Sequence, residues 1–330
     1  MRTTEVILID TGSKSNIIMM GDIGKMKHAV QLTQPYTVSN PLLHKLMKIH
    51  FSYRINCKVE LPLKSIWDSA NVLNQLTADN SKEYIIIVVN NAIHKFSIPF
   101  LNRLSERPNI HLVSLLLDSF ARLPKAVPAM IRKTNFELIY SFQQSDCEKY
   151  GFLYTNKIYS KASLPKTETP QRDVYFIGAD KGRIKLLAEI YQKLTNAGFS
   201  CDFWVIVSEG RLEAYSAKYP YLHLITKRIS YDEILRKIAT SRCILELCQK
   251  GQDGLTMRFY EAIFYNRLLI TNNPTAQKSP YFSSGYMNFI QTAEDLNLSM
   301  LRDITSVDYG YQNEYSPVHF VEEIKQKLHL

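Results

Sequence analysis

The sequence predicts an α/β fold made of two doubly wound domains that face each other across a cleft. Three observations carry that expectation. Strand-like and helix-like segments alternate from end to end, the pattern of parallel sheets with crossover helices. A polar, proline-punctuated stretch, Y-S-K-A-S-L-P-K-T-E-T-P-Q-R-D at 159–173, divides the alternation in two. The 330 residues are too many for one core and suit two of about 150 each.

In the first half, E-V-I-L-I-D (5–10), Y-I-I-I-V-V-N (84–90), I-H-L-V-S-L-L-L-D (110–118) and F-E-L-I-Y-S-F (136–142) read as strands. Their aliphatic runs do not alternate with polar residues, as befits strands covered on both faces. Helical periodicity falls at 41–50, 65–77, 97–106 and 126–133. After the linker, D-V-Y-F-I-G (173–178) leads through A-D-K-G-R (179–183) into a helix at 184–196. C-D-F-W-V-I-V (201–207), L-H-L-I-T (222–226), a helix at 231–239, C-I-L-E-L (243–247) and L-L-I-T-N (268–272) continue the alternation. The segment 317–328 is an amphipathic helix. The expected domains are 1–160 and 173–312, joined by a linker at 161–172.

Composition bounds the function. With 45% hydrophobic and 22% charged residues the chain is globular. Its five cysteines are scattered, with no CxxC pair and no Cys/His cluster, so reduced thiols and no zinc are expected. The N-terminal apolar run is too short for a signal peptide, and no run of about 18 apolar residues spans a membrane, so a cytoplasmic location is expected. Net charge is +9, concentrated in residues 1–160, where 19 Lys and Arg face 12 Asp and Glu. That half favours an anionic partner, with a solvated lysine-rich surface as the plain alternative. No RRM, helix-turn-helix or zinc pattern supports nucleic acid.

Two strand-to-helix turns in the second half have the chemistry of anion sites, where glycines free the backbone and helix N–H groups point outward. The first is F-I-G-A-D-K-G-R, in which Gly178 ends a strand and Lys181 and Arg183 bring charge to a helix start. It is neither a GxGxxG nor a Walker loop. The second is C-Q-K-G-Q-D-G-L-T-M-R-F-Y-E-A-I, with a helix expected from about Thr256. Arg258 and Glu261, three apart, share one face of that helix, and Phe259, Ala262 and Ile263 form its buried stripe. Two glycines before the helix, acids on both sides of the turn and a strand directly after it argue against a simple surface ion pair.

D-G-L-T-M-R-F-Y-E-A resembles the E-x7-E segment of GT-B fold glycosyltransferases, with Asp253 in place of the first glutamate and Glu261 matching the second. F-I-G-A-D-K-G-R is similar to the strand and loop that open the family's nucleotide domain. I-T-K-R-I-S-Y-D-E-I-L-R-K-I-A-T-S-R-C is similar to the segment whose loop cradles the base, which brings in Lys227, Arg228 and Ile229. The resemblance spans about 136–275 and is closest to the transferases of bacterial capsule and lipopolysaccharide synthesis. It implies a nucleotide-diphosphate sugar donor, a UDP-sugar first, and no cofactor or metal. It implies that 313–330 cross back to the first domain. Glu261 would bond the ribose hydroxyls, and Asp253 would face the donor sugar. Gly254, Leu255 and Thr256 would turn N–H groups to the diphosphate, and Lys181 and Arg183 would neutralise it; Arg258 is not part of the common E-x7-E pattern, and its charge and placement suggest the same role. The acceptor would be a saccharide or lipid-linked saccharide, with the basic half resting peripherally on anionic membrane.

The first half should then hold the acceptor and the base. Asp118, ending a strand, is a candidate general base, and His94 is a candidate sugar contact. Two rivals stay open: a sugar-nucleotide 2-epimerase and a non-catalytic module that binds an anionic partner. V-I-L-I-D-T-G-S at 6–13 resembles the motif of aspartic proteases, but that chemistry needs a second D-[ST]-G, and none occurs.

Overall fold

The computed structural model describes residues 2–156, 158–165, 171–249 and 254–330. The chain divides into two compact units, Met1–Ser160 with Asn313–Leu330, and Lys161–Gln312.

The first unit holds a six-stranded parallel sheet of β1 (Thr4–Ile9), β2 (Ala29–Leu32), β3 (Glu83–Val89), β4 (Ile110–Leu116), β5 (Leu138–Ser141) and β6 (Leu153–Tyr154), in the order β2-β1-β3-β4-β5-β6. β3 and β4 are buried along nearly their whole length, which explains their unalternating aliphatic runs. Strand order reverses between β1 and β3, where Asp10 is wholly buried. Its carboxylate accepts the Gly12 N–H at 2.6 Å and the Gln31 amide at 2.9 Å. Lys95, also buried, donates to the Asp10 carbonyl at 2.7 Å. The D-T-G-S stretch is therefore a structural turn, in which Gly12 supplies a left-handed φ of +84°.

Helix Pro317–Leu328, capped by the Ser316 hydroxyl, buries Phe320, Val321 and Ile324 in this unit. Phe320 stands edge-on to Tyr140 of β5 at 5.0 Å, and the Tyr159 N–H donates to the Tyr315 carbonyl at 3.0 Å.

The second unit holds β7 (Arg172–Ala179), β8 (Cys201–Ile206), β9 (His223–Ile225), β10 (Ser241–Glu246), β11 (Leu268–Thr271) and β12 (Met287–Phe289), parallel throughout in the order β12-β11-β10-β7-β8-β9. This is the 3-2-1-4-5-6 order of dinucleotide-binding sheets, with the switch point between β7 and β10. Helix Ile184–Asn196 buries Ile184, Leu187, Ile190 and Leu194 against Phe176, Phe203 and Leu245.

Two expectations change. The helix expected at 65–77 is a 3-10 segment, Lys64–Ala70, followed by a short helix, Leu73–Leu76. Asn71 breaks it by taking extended backbone to bridge Tyr36, and its side chain caps Leu73 at 3.0 Å. β4 ends at Leu116, so Asp118 lies past the strand. Among the described residues no helix is long and apolar enough to cross a membrane.

Candidate functional site

The loops that leave β7 and β10 meet at the switch point of the second sheet. After β7 the backbone turns through two left-handed residues, Lys181 at φ +43° and Gly182 at φ +82°. The buried Asp180 carboxylate accepts the Ile184 N–H at 3.0 Å, which starts the following helix, and Arg211 at 3.2 Å. Arg183 folds back under this turn. Its guanidinium donates to the carbonyls of Asp180, Ala179 and Leu247, and so ties the end of β7 to the residue after β10. Burial pushes its pKa down. Gly178 makes room for it: a Cβ there would lie 3.0 Å from the Phe176 ring and 3.2 Å from the Arg183 guanidinium. Lys181 is exposed and donates to the Gln249 amide oxygen at 2.9 Å, a second tie between the loops.

β10 ends in Glu246, whose buried carboxylate accepts the hydroxyls of Thr256 and Thr271. Burial pushes the Glu246 carboxyl up, and those hydroxyls with the Thr256 backbone N–H oppose the shift. Thr256 also caps helix Met257–Phe264, accepting the Arg258 N–H at 3.1 Å. Two asparagines after β11 brace the loop: Asn272 accepts the Cys248 N–H at 2.6 Å, and Asn273 donates to the Gly254 carbonyl at 3.2 Å.

Arg258 and Glu261 form an ion pair on this helix, and the Tyr231 hydroxyl donates to the same carboxylate at 3.4 Å. The Glu261 side chain is 0% exposed and that of Arg258 16%, so the pair is no solvated surface bridge. Burial works against the Arg258 charge, but Glu261 and the phenols of Tyr175 and Tyr231 outweigh it and raise its pKa. Gly254 and Leu255 are buried just ahead of this helix.

Lys227 and Arg228 are exposed, and Ile229 is half-buried, in the loop between β9 and helix Tyr231–Ala239. The bond from Tyr231 to Glu261 brings that helix start to the same place. Asp253 lies outside the described residues. In the first unit Asp118 is an exposed carboxylate two residues past β4. His94, in the 3-10 turn after β3, is buried, and Lys64 donates to its carbonyl at 3.2 Å. Burial pushes its imidazole down to about 4, so the ring is neutral at pH 7. Among the described residues no group of three or more His, Cys, Asp or Glu side chains is placed to hold a metal ion.

Sequence reasoning passed over Glu246, Tyr231 and Gln249. A lone acid closing the apolar run C-I-L-E-L was the available signal for the first.

Two parallel six-stranded sheets, the second wound in dinucleotide-binding order, define the class: the chain has the GT-B fold. It is similar to AviGT4, a glycosyltransferase involved in avilamycin A biosynthesis, at 9% identity over 98% of this chain and 96% of that one, with a TM-score of 0.58. Against Anabaena Alr3699/HepE in complex with UDP and glucose the values are 10%, 98%, 99% and 0.56. A putative UDP-N-acetylglucosamine 2-epimerase from Listeria monocytogenes gives 10%, 99%, 97% and 0.51. What is shared at these identities is the fold. The chain spans 55% of the length of the longer TarM, at 12% identity, 75% of this chain and a TM-score of 0.49. It spans 55% of a chain of the Gap123 complex from Streptococcus agalactiae, at 14%, 80% and 0.47. No protein-family model and no curated protein sequence matches.

Proposed function

We propose that the chain is a glycosyltransferase that moves a sugar from a nucleotide-diphosphate sugar, a UDP-sugar first, to a saccharide or lipid-linked acceptor of surface polysaccharide synthesis. The observation that carries this is the buried Arg258–Glu261 pair at the start of a Thr256-capped helix, beside the switch point of the second sheet. In the reaction the bond from the sugar's anomeric carbon to the diphosphate oxygen breaks, and a bond to an acceptor hydroxyl oxygen forms. The acceptor proton passes to a carboxylate, for which Asp118 is the candidate. The diphosphate leaves with added negative charge, which Arg258, Lys181 and the N–H groups of Gly254 and Leu255 neutralise without a metal, whereas the Thr256 N–H expected beside them is taken up by the buried Glu246 carboxylate. Arg183, whose donors already serve three carbonyls, holds the β7 loop in shape. His94 acts as a neutral hydrogen-bonding group.

A thermal-shift panel of UDP, GDP, CMP and dTDP compounds tests this. A bound nucleotide raises the melting temperature by mass action, and Glu261→Ala is expected to erase the response. An unchanged shift in that variant removes the ribose assignment.

The likeness to the Listeria 2-epimerase keeps one rival reading alive. An epimerase would convert its UDP-sugar with no acceptor present. A transferase would release UDP in step with glycosylated acceptor.

A further inference from the structure

Helix Pro41–His50 turns most of its apolar residues outward. Only Met47 is buried, in a cluster with Tyr36 and Phe51. Leu42, Leu46 and Ile49, at i, i+4 and i+7, form one ridge and are 68%, 49% and 53% exposed. The next segment also exposes large apolar side chains, Val59, Leu63 and Ile66, at 66%, 76% and 64%. His50 locks the two pieces together: its Nε2 donates to the Pro62 carbonyl at 2.6 Å, and its Nδ1 accepts the Trp67 indole N–H at 3.0 Å. Leu63 holds a left-handed φ of +59°, a region that favours glycine, and so keeps a large apolar side chain in water at some backbone strain. Scattered apolar side chains are normal on a surface, whereas a tied cluster of this size marks a contact face.

The charge around the ridge says what covers it. Between residues 41 and 66 the acid is Glu60 alone, against Lys45, Lys48, Arg54, Lys58 and Lys64. The first four of these cations are exposed. Ion pairs of this unit fall to Arg2, Lys25, Lys82 and Arg103 among others, and none of the four pairs with a carboxylate among the described residues. At 100° per residue, Lys45 and Lys48 flank the ridge on one side of the helix. A bilayer interface answers both features, taking the aliphatic side chains at the acyl boundary and the ammonium groups at the phosphates. A second copy docked by the same ridge would set these cations against each other.

We propose that residues 41–66 form a docking surface that seats the first unit on an anionic lipid bilayer. This deepens the function proposed above by naming where a lipid-linked acceptor is met, and it rests on that reading for the acceptor alone.

Co-sedimentation of the full chain with phosphatidylcholine vesicles, with and without phosphatidylglycerol, tests it. The protein is expected to pellet with the anionic vesicles and to keep a salt-resistant bound fraction. Lys45→Gln/Lys48→Gln should lower the partition coefficient roughly thirtyfold. Leu42→Ser/Leu46→Ser/Ile49→Ser should lower it by at least roughly tenfold and remove the salt-resistant fraction. The substituted side chains are exposed, and an unchanged melting temperature checks that both variants fold. Wild-type protein left in the supernatant, or a triple-serine variant that partitions as wild type does, overturns the proposal. A wild-type dimer that the triple variant turns into monomers overturns it too, by giving the face to a second copy. The transferase reading fails separately: the triple variant should keep its nucleotide shift, and Glu261→Ala should still pellet.

Discussion

At the scale of single residues, burial decides which charges are available. Folding holds the His94 ring neutral, with a pKa pushed down to about 4 from the ordinary value near 6.5. The unfolded chain binds that proton more readily, so the resulting stability is full above about pH 6.5 and is lost as pH falls toward 4, about 3 kcal/mol in all. Urea unfolding of wild type and His94→Gln between those pH values should show the variant with a flatter pH dependence. Equal slopes would mean that the ring is solvated. Glu261 and Arg258 teach a related lesson. Their spacing of three was legible in the sequence, but a solvated pair and a buried one look alike there, because burial depends on Tyr175 and Tyr231 arriving from other elements. Glu246 was hidden for a similar reason. An acid in an apolar strand reads as an interruption until Thr256 and Thr271 are seen to satisfy it.

Among elements, legibility followed periodicity and caps. The helices at 41–50, 184–196, 231–239 and 317–328 have the expected bounds, since each carries an amphipathic stripe and three begin after a side-chain cap from Asn40, Ser230 or Ser316. β2, β6 and β12 went unread because they are two to four residues long and mostly half-buried, with no aliphatic run. Helix Glu209–Lys218 has no buried residue, so it presents no stripe. Glycine has opposite meanings in two of these elements. Gly178→Ala should cost about 2 kcal/mol, because its Cβ meets Phe176 and Arg183 at 3.0 and 3.2 Å. Gly210→Ala, in that exposed helix with nothing within 4 Å, should stabilise by about 0.7 kcal/mol. Denaturant melts of the two variants compare them directly, and shifts of the same sign would refute the packing account of Gly178.

For the molecule as a whole, the alternation of strands and helices was enough to foresee an α/β construction, but strand order was not, because parallel neighbours are chosen by crossovers that leave no mark in local sequence. The proposed chemistry adds a whole-molecule prediction: transfer should be unchanged by EDTA, with protein cations and helix N–H groups carrying the leaving-group charge. An activity that disappears with the chelator and returns with magnesium would reassign that role. The first unit also joins distant stretches of chain, since helix Pro317–Leu328 packs beside β5 and Tyr315 receives the Tyr159 N–H. During translation this imposes an order of events. Residues 1–160 leave the ribosome lacking one wall of their core, the second unit can fold meanwhile, and the gap over Tyr140 closes once Phe320 emerges.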